Sequence, residues 1–156
     1  MLFSVNAPIV ELVDEAQCLE LDATLVERIY EFNSEATGYT DGKLLGGCVR
    51  ADSGELIAGF SGHTWGGVCV VTHLWVDRHY RRRGIGQAVL QSAEAEARRR
   101  NCAHLILASH SFQAPRFYER LGYQRICTVE DWPVAHSNTV YRKPLHTDAQ
   151  RTSHVS

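Results

Sequence analysis

The sequence predicts an α/β (α+β) fold built on a mixed central sheet. An antiparallel N-terminal meander comes first, a βαβ unit follows, and helices lie on both faces. Three observations lead there. Leu44 to Ala51, Leu56 to Trp65 and Val68 to Val76 are apolar, β-branched runs separated by short turns. A helix-period stretch opens at Ile85 and is followed by a short apolar run, Ala103 to Ala108. At 156 residues, 44% hydrophobic and 22% charged, the chain has the composition of a globular protein and the length for one domain with a substantial core.

From the N-terminus, Ile9 to Val13 reads as a first strand, and Thr24 to Glu35 as a helix with Leu25, Ile29 and Phe32 on one face. Gly38 to Gly42 is a loop. Asp52-Ser53-Gly54-Glu55 joins the first two strands of the meander, and Gly66-Gly67 reverses the chain into the third. In the next helix Ile85, Val89, Ala93 and Ala97 mark one face at a spacing of four. Glu94–Arg98 and Glu96–Arg100 read as i,i+4 pairs on its solvated side, Arg98 to Arg100 suit the macrodipole with no further role, and Asn101 is a stop. Strand, helix and strand form a right-handed crossover, which makes the strands on either side parallel. Pro115 suits a helix start, and that helix ends at Gly122. Tyr123 to Val129 and His136 to Lys143 are the last strands. The expected organisation is one domain over residues 1–146 and a polar, frayed tail over 147–156.

Composition also excludes. A net charge of −2 provides no global basic field for nucleic acid, although arginines cluster at Arg78 to Arg83 and Arg98 to Arg100. Five cysteines are scattered singly without a Cys-x-x-Cys pair, which argues against a disulfide framework and for a reducing cytoplasm. Cys48 and Cys69 lie in apolar strands and read as small core residues. The eight histidines include no His-x-x-x-His and join no Cys pair at ligand spacing, so no metal is expected. No signal peptide is apparent, and no apolar run approaches the roughly 20 residues a membrane helix needs.

The most informative stretch is Val76-Asp77-Arg78-His79-Tyr80-Arg81-Arg82-Arg83-Gly84-Ile85-Gly86-Gln87, a loop with two glycines between a strand and a helix start. Unpaired N–H groups and the positive end of the macrodipole suit phosphate there, glycine permits close backbone approach, and arginine adds charge. A dinucleotide fingerprint needs a further glycine where Val89 stands, and the chain has no Gly-Lys-Ser/Thr for a Walker loop. Arg81-x-x-Gly84-x-Gly86 remains. By itself it also fits a tight strand–helix turn with solvated arginines.

That motif, after Leu74-Trp75-Val76, resembles the acyl-CoA-binding motif of the GNAT superfamily of N-acetyltransferases. Ser111-Phe112-Gln113-Ala114-Pro115-Arg116-Phe117-Tyr118-Glu119-Arg120-Leu121-Gly122-Tyr123 resembles the second GNAT motif, Asn-x-x-Ala-x-x-Phe-Tyr-x-x-x-Gly-Phe/Tyr, in the usual order and separation. The Phe-Gln-Ala-Pro form is similar to a bacterial subgroup of small GNAT proteins. Ser111 stands where the superfamily usually has a cofactor-contacting Asn, so Gln113 or backbone has to substitute. The resemblance implies a GNAT-like fold with a gap between the two parallel strands for the pantetheine arm. It implies acetyl-CoA as cosubstrate, no metal, and direct transfer to an amine in a ternary complex. The pyrophosphate would sit on N–H groups from Arg82 to Gln87, with Arg81, Arg83, Gly84, Ile85 and Gly86 in the same loop. The pantetheine amides would pair with backbone at Leu74 and Val76, as an added strand does. Trp75, Ser111, Gln113 and Phe117 complete the expected cofactor-binding set.

The chemistry then needs an acid and a base. Tyr118 matches the Tyr of the superfamily's Phe-Tyr pair, which commonly protonates the leaving thiolate. A phenol with a reference pKa near 10 stays protonated at neutral pH, although an aromatic at a helix end also has a packing role. His73 is the expected base, with a reference pKa of about 6.5 that suits proton removal. His110 competes, a water chain could replace both, and each histidine also fits a structural role. The first helix, the loop Asn33 to Gly42 and the segment Trp132 to Ser137 are expected to shape an acceptor pocket. Asp41, Glu35 and Asp131 are carboxylates that could attract a cationic amine. The acceptor is expected to be a small-molecule amine, with peptide or protein amines as the alternative. No nucleic acid or membrane partner is expected, and a homodimer stays open. A CoA-binding sensor that has lost turnover and a nucleic-acid binder are the other classes. Tyr118 argues against the first, net acidity and the lack of interleaved exposed aromatics against the second.

Overall fold

The computed structural model describes residues 10–145, and the expected tail over 147–156 lies outside them. By its contacts the chain divides into two compact units, Met1–Tyr39 and Thr40–Ser156.

The first unit is described by one helix, α1 (Glu15–Thr37), which begins nine residues before the expected start at Thr24. Asp14 sets that start. Its carboxylate accepts the Gln17 N–H at 2.9 Å, and the Gln17 side chain accepts the Asp14 N–H at 3.1 Å, a reciprocal capping box. Gly38 ends the helix in the left-handed region at φ 78°, its N–H bonded to Ser34 O. The expected strand Ile9–Val13 is not formed over Val10–Val13, and Ile9 lies outside the described residues. A strand needs a ladder partner, and none pairs with Val10–Val13 among the described residues.

The second unit is a six-stranded sheet in the order β1-β2-β3-β4-β6-β5. Its strands are β1 (Lys43–Arg50), β2 (Leu56–Trp65), β3 (Val68–Val76), β4 (His104–His110), β5 (Gln124–Glu130) and β6 (Ser137–Pro144), and its helices α2 (Ile85–Arg99) and α3 (Pro115–Arg120). All pairings are antiparallel except β3–β4, which the α2 crossover makes parallel as the sequence predicts. Helix α2 buries Val89, Leu90, Ala93 and Ala97 against β1, β2 and β3. At its N-terminus it meets Phe117 of α3 across Gly86. Leu90, Ala93, Ala97, Leu105 and Tyr141 are fully buried at the centre of the core. Asn101 takes the left-handed conformation at φ 59° just past α2, the stop its position predicts.

The structure corrects three expectations. Glu94 is not on a solvated side; it is 4% exposed. Its carboxylate accepts from Lys143 Nζ at 2.8 and 2.9 Å, from Tyr123 Oη at 3.1 Å and from Arg98 at 3.3 Å. Partners from β6 and from the residue before β5 thus offset part of the cost of taking this carboxylate out of water. Arg98 and Arg100 do more than complement a dipole. Arg98 Nε donates to Leu145 O at 3.0 Å, and Arg100 donates to Leu44 O and Thr64 Oγ1, both at 3.1 Å, pinning the end of α2 to the sheet. Cys69 is buried as expected, its thiol pushed up to about 12 mainly by burial. Cys48 is exposed. It pairs with Gly59 on the face opposite Leu45 and Gly47, because alternate residues of a strand point to opposite faces.

Candidate active site

The two parallel strands part in the middle. Pairing of β3 with β4 runs from Val68–His104 to Val71–Leu107 and stops. Beyond that point β3 continues on β2 alone and β4 on β6 alone. A β-bulge marks the divergence: Ser61 faces His73 and Gly62 faces Val71, which leaves Thr72 as the extra residue. A Cβ on Gly62 would lie 2.0 Å from Val70 O, so only glycine fits beneath the bulge. The parting opens a cleft of about 390 Å³ lined from both strands, by Leu74, Trp75, Ala108 and His110 among others.

The alternation of side chains gives this cleft two sides. Ala58 and Phe60 are buried under α2, and they pair with Val76 and Leu74. His73 and Trp75 therefore lie on the opposite face. Likewise Lys143 reaches Glu94 of α2 and Tyr141 packs on Tyr118, which puts the even-numbered residues of β6, Asn138 among them, on the face opposite α2. His110 is the ladder partner of Asn138 and shares its face. The cleft thus meets Tyr118 on the α2–α3 side and His73, His110 and Asn138 on the other.

The backbone of β3 is polarised the same way. Asp77 N–H bonds Ile57 O at 2.8 Å, which fixes Trp75 and His73 as the residues hydrogen-bonded to β2. Leu74 and Val76 consequently turn their N–H and C=O groups toward the open edge. Val76 O already accepts from Arg81 Nε at 3.0 Å. That bond folds the loop back against the end of β3.

In the loop itself Arg82 has φ 60° and Gly84 φ 79°, two left-handed residues separated by Arg83. A non-glycine residue in that region is uncommon. Reversals of φ sign turn successive N–H groups to one side, a concavity that suits anions. The first helical bond of α2 runs from Ala88 N–H to Gly84 O at 3.0 Å, so the amides of Ile85, Gly86 and Gln87 precede it. The Arg83 guanidinium lies 5.4 Å over the Tyr80 ring.

Tyr118 is 7% exposed, wedged among Phe117, Tyr123 and Tyr141 with ring centroids 5.1, 6.0 and 5.7 Å away. Burial, and then Tyr141, push its phenol above the ordinary value, so it stays protonated. His73 Nδ1 is 3.2 Å from Ser61 Oγ, and His110 Nδ1 is 3.0 Å from Trp132 O. Ser111 holds the end of β4 to the start of β6. Its Oγ accepts the Ser137 N–H at 3.2 Å, and its N–H bonds Ser137 O. Gln113 takes the cleft position instead. Its Oε1 accepts the His110 N–H at 3.0 Å and Ser109 Oγ at 3.3 Å.

Two of the three carboxylates expected to draw a cationic amine are spent on loop geometry. Asp41 accepts the Gly66 N–H at 3.0 Å, and Asp131 accepts the Ala135 N–H at 3.2 Å. The rim beside His110 is aromatic instead. His110 stacks on Phe112 at 5.2 Å, with Trp132 edge-on to His110 and His136 edge-on to Phe112. Asn138 is a cleft residue that sequence reasoning missed; its one signal was a carboxamide just ahead of the β-branched pair Thr139-Val140 in an expected strand. Among the described residues no group of three or more His, Cys, Asp or Glu is placed to hold a metal, and no helix is long and apolar enough to cross a membrane.

A split parallel strand pair, a bulge at its parting and an amide-lined loop at the mouth define an acyltransferase fold. A model of the acetyltransferase (GNAT) family matches residues 11–123. Blasticidin-S acetyltransferase of Streptomyces morookaense is 37% identical over 95 residues, 60% of this chain and 70% of the relative. The crystal structure of an acetyltransferase from Bacillus cereus aligns with a TM-score of 0.71 at 25% identity, covering 88% of this chain and 97% of that one. An aminoglycoside 6'-N-acetyltransferase solved in complex with coenzyme A shares the fold, with a TM-score of 0.60 at 15% identity over 67% and 74% of the two chains. The protein belongs to the GNAT family and is an acetyltransferase.

Proposed function

We propose that this protein moves acetyl from acetyl-CoA to a primary amine of a small molecule, by direct transfer in a ternary complex. The passage through the sheet between β3 and β4 carries this reading, with a buried phenol on one face and two imidazoles on the other. The pyrophosphate sits on the amides of Arg82 to Gln87 and the arginines beside them. The pantetheine arm pairs with the outward groups of Leu74 and Val76 as an added strand does, Val76 mainly through its N–H because Arg81 holds its carbonyl. Trp75, Gln113 and Phe117 border the arm. Ser111 supports this site only indirectly, through its bonds to Ser137.

The acceptor amine enters from the face of His73 and His110. One imidazole, directly or through water, takes a proton from the ammonium. The amine nitrogen attacks the thioester carbon, the C–N bond forms, and the C–S bond breaks. Tyr118 gives its proton to the departing sulfur and regains one from the nitrogen, which sheds its second proton as the amide forms; the products are an amide, free CoA thiol and the proton held by the imidazole. His73 is the preferred base because it sits at the bulge, where the strands part. The aromatic rim of Phe112, Trp132 and His136 favours an acceptor with a flat or cationic body. Similarity to blasticidin-S acetyltransferase supports a small-molecule acceptor. The family match, residues 11–123, runs across the division between the two units, which supports one acyltransferase domain over 1–146.

The test is thiol release from acetyl-CoA against a panel of amines, with products identified by mass. Turnover of at least one small amine is expected. Acetyl-CoA binding without thiol release across amines and peptides would favour the CoA-binding sensor. Turnover confined to peptides would move the acceptor class.

A further inference from the structure

Resting on the acyl-transfer reading of the same cleft, we infer that Asn138 is the hydrogen-bond acceptor that holds the attacking amine. Asn138 is 8% exposed and lines the cleft. Its Oδ1 is buried with no hydrogen-bond partner. The residue sits inside β6, laddered to His110 of β4 on one side and Val129 of β5 on the other, so its backbone is fixed. Asparagine is depleted in strands, and an apolar residue there would be accommodated more cheaply than a carboxamide with an unmet acceptor. A buried acceptor of this kind is matched by a donor that arrives with a ligand.

The chemistry of that donor follows from position. Asn138 shares the sheet face of His73 and His110, opposite Tyr118. The thioester has no N–H, and the pantetheine amides run along β3. The amine approaching from the imidazole face does have N–H groups. Donating one to Asn138 Oδ1 points the nitrogen lone pair away from β6 and across the cleft, toward the thioester. Asn138 thus positions the acceptor and handles no proton.

Asn138→Leu tests this, because it keeps the side-chain size and removes the polar group. The ligand-free variant is expected to melt at the wild-type temperature or above it, since an unmet buried acceptor has been removed. Its acetyl-CoA affinity should stay within about twofold of wild type. KM for the acceptor amine should rise on the order of 10-fold or more, the loss of one buried hydrogen bond. Asn138→Asp retains an acceptor oxygen and should recover part of that loss. An unchanged amine KM in the Leu variant overturns the inference. So does a lowered melting temperature accompanied by equal loss of acetyl-CoA and amine binding, which marks a structural role. A wild-type protein that turns over no amine defeats the acyl-transfer reading itself, a result distinct from either.

Discussion

Gly86 and Phe117 meet where the loop, α2 and α3 converge: a Cβ on Gly86 would lie 3.5 Å from Phe117 Cζ and 3.4 Å from Val76 Cγ2. The side-chain direction of Gly86 therefore points into an apolar junction, while its N–H belongs to the free first turn of α2. The two glycines of the motif thus differ in role. Gly84 supplies a left-handed φ with open space around it, and Gly86 supplies closeness between elements.

Acetyl-CoA should raise the melting temperature of the wild-type protein, because it binds the folded state. Gly86→Ala makes only ordinary contacts, so it should fold with a melting temperature within about 4 °C of wild type and keep that response. Gly86→Asp drives a carboxylate against Phe117 and Val76 and adds negative charge beside the phosphate site. It should lower the melting temperature by several degrees and abolish the acetyl-CoA response. A folded Gly86→Asp protein with unchanged acetyl-CoA affinity would remove the loop assignment.

Tyr118→Phe keeps the ring contacts to Tyr123 and Tyr141 and removes the proton donor. With chemistry limiting, kcat should fall about 10²–10⁴-fold while acetyl-CoA affinity moves little. The pH dependence has a sign. The acid works in its protonated form, and burial raises its pKa, so loss of that form moves to higher pH than for a free phenol. Ionisation of Tyr118 should therefore cause no fall in kcat between neutrality and a pH of about 10. A wild-type kcat that drops below a pH of about 9, together with a Phe variant that abolishes the drop, would contradict this assignment.

Glu94 and Glu96 stand two residues apart on α2 and should respond differently to alanine. Glu94 is enclosed by Lys143, Tyr123 and Arg98. Its removal strands the Lys143 ammonium and should cost about 3–5 kcal/mol in urea unfolding. Glu96 pairs with Arg99 and Arg100 at the surface, and its alanine variant should unfold close to wild type. Similar destabilisation by both would mean that burial does not set the strength of these pairs.

Much of the fold was legible because its signals are local. The runs Leu56–Trp65 and Val68–Val76 are β2 and β3 over the expected residues, since turn residues bound them on both sides. Asn101 and Gly122 stand in left-handed conformations where helix stops were expected. The start of α1 was also written locally, in Asp14 and Gln17, but the apolar spacing pointed to a later turn.

By itself the sequence determined the order of strands and helices from β1 onward, the amide-lined loop at Arg81 to Gln87 and the Phe117–Tyr118 pair, because each depends on neighbours a few residues away. Tertiary structure alone decided that Glu94 is buried, since Lys143 lies 49 residues further along the chain. It alone turned Ser111 to Ser137 and gave Gln113 the cleft position. It also set Asn138 and His110 on one face and Tyr118 on the other. That division follows from the unbroken β4–β6 register, and a register is a property of paired chains that no single segment contains.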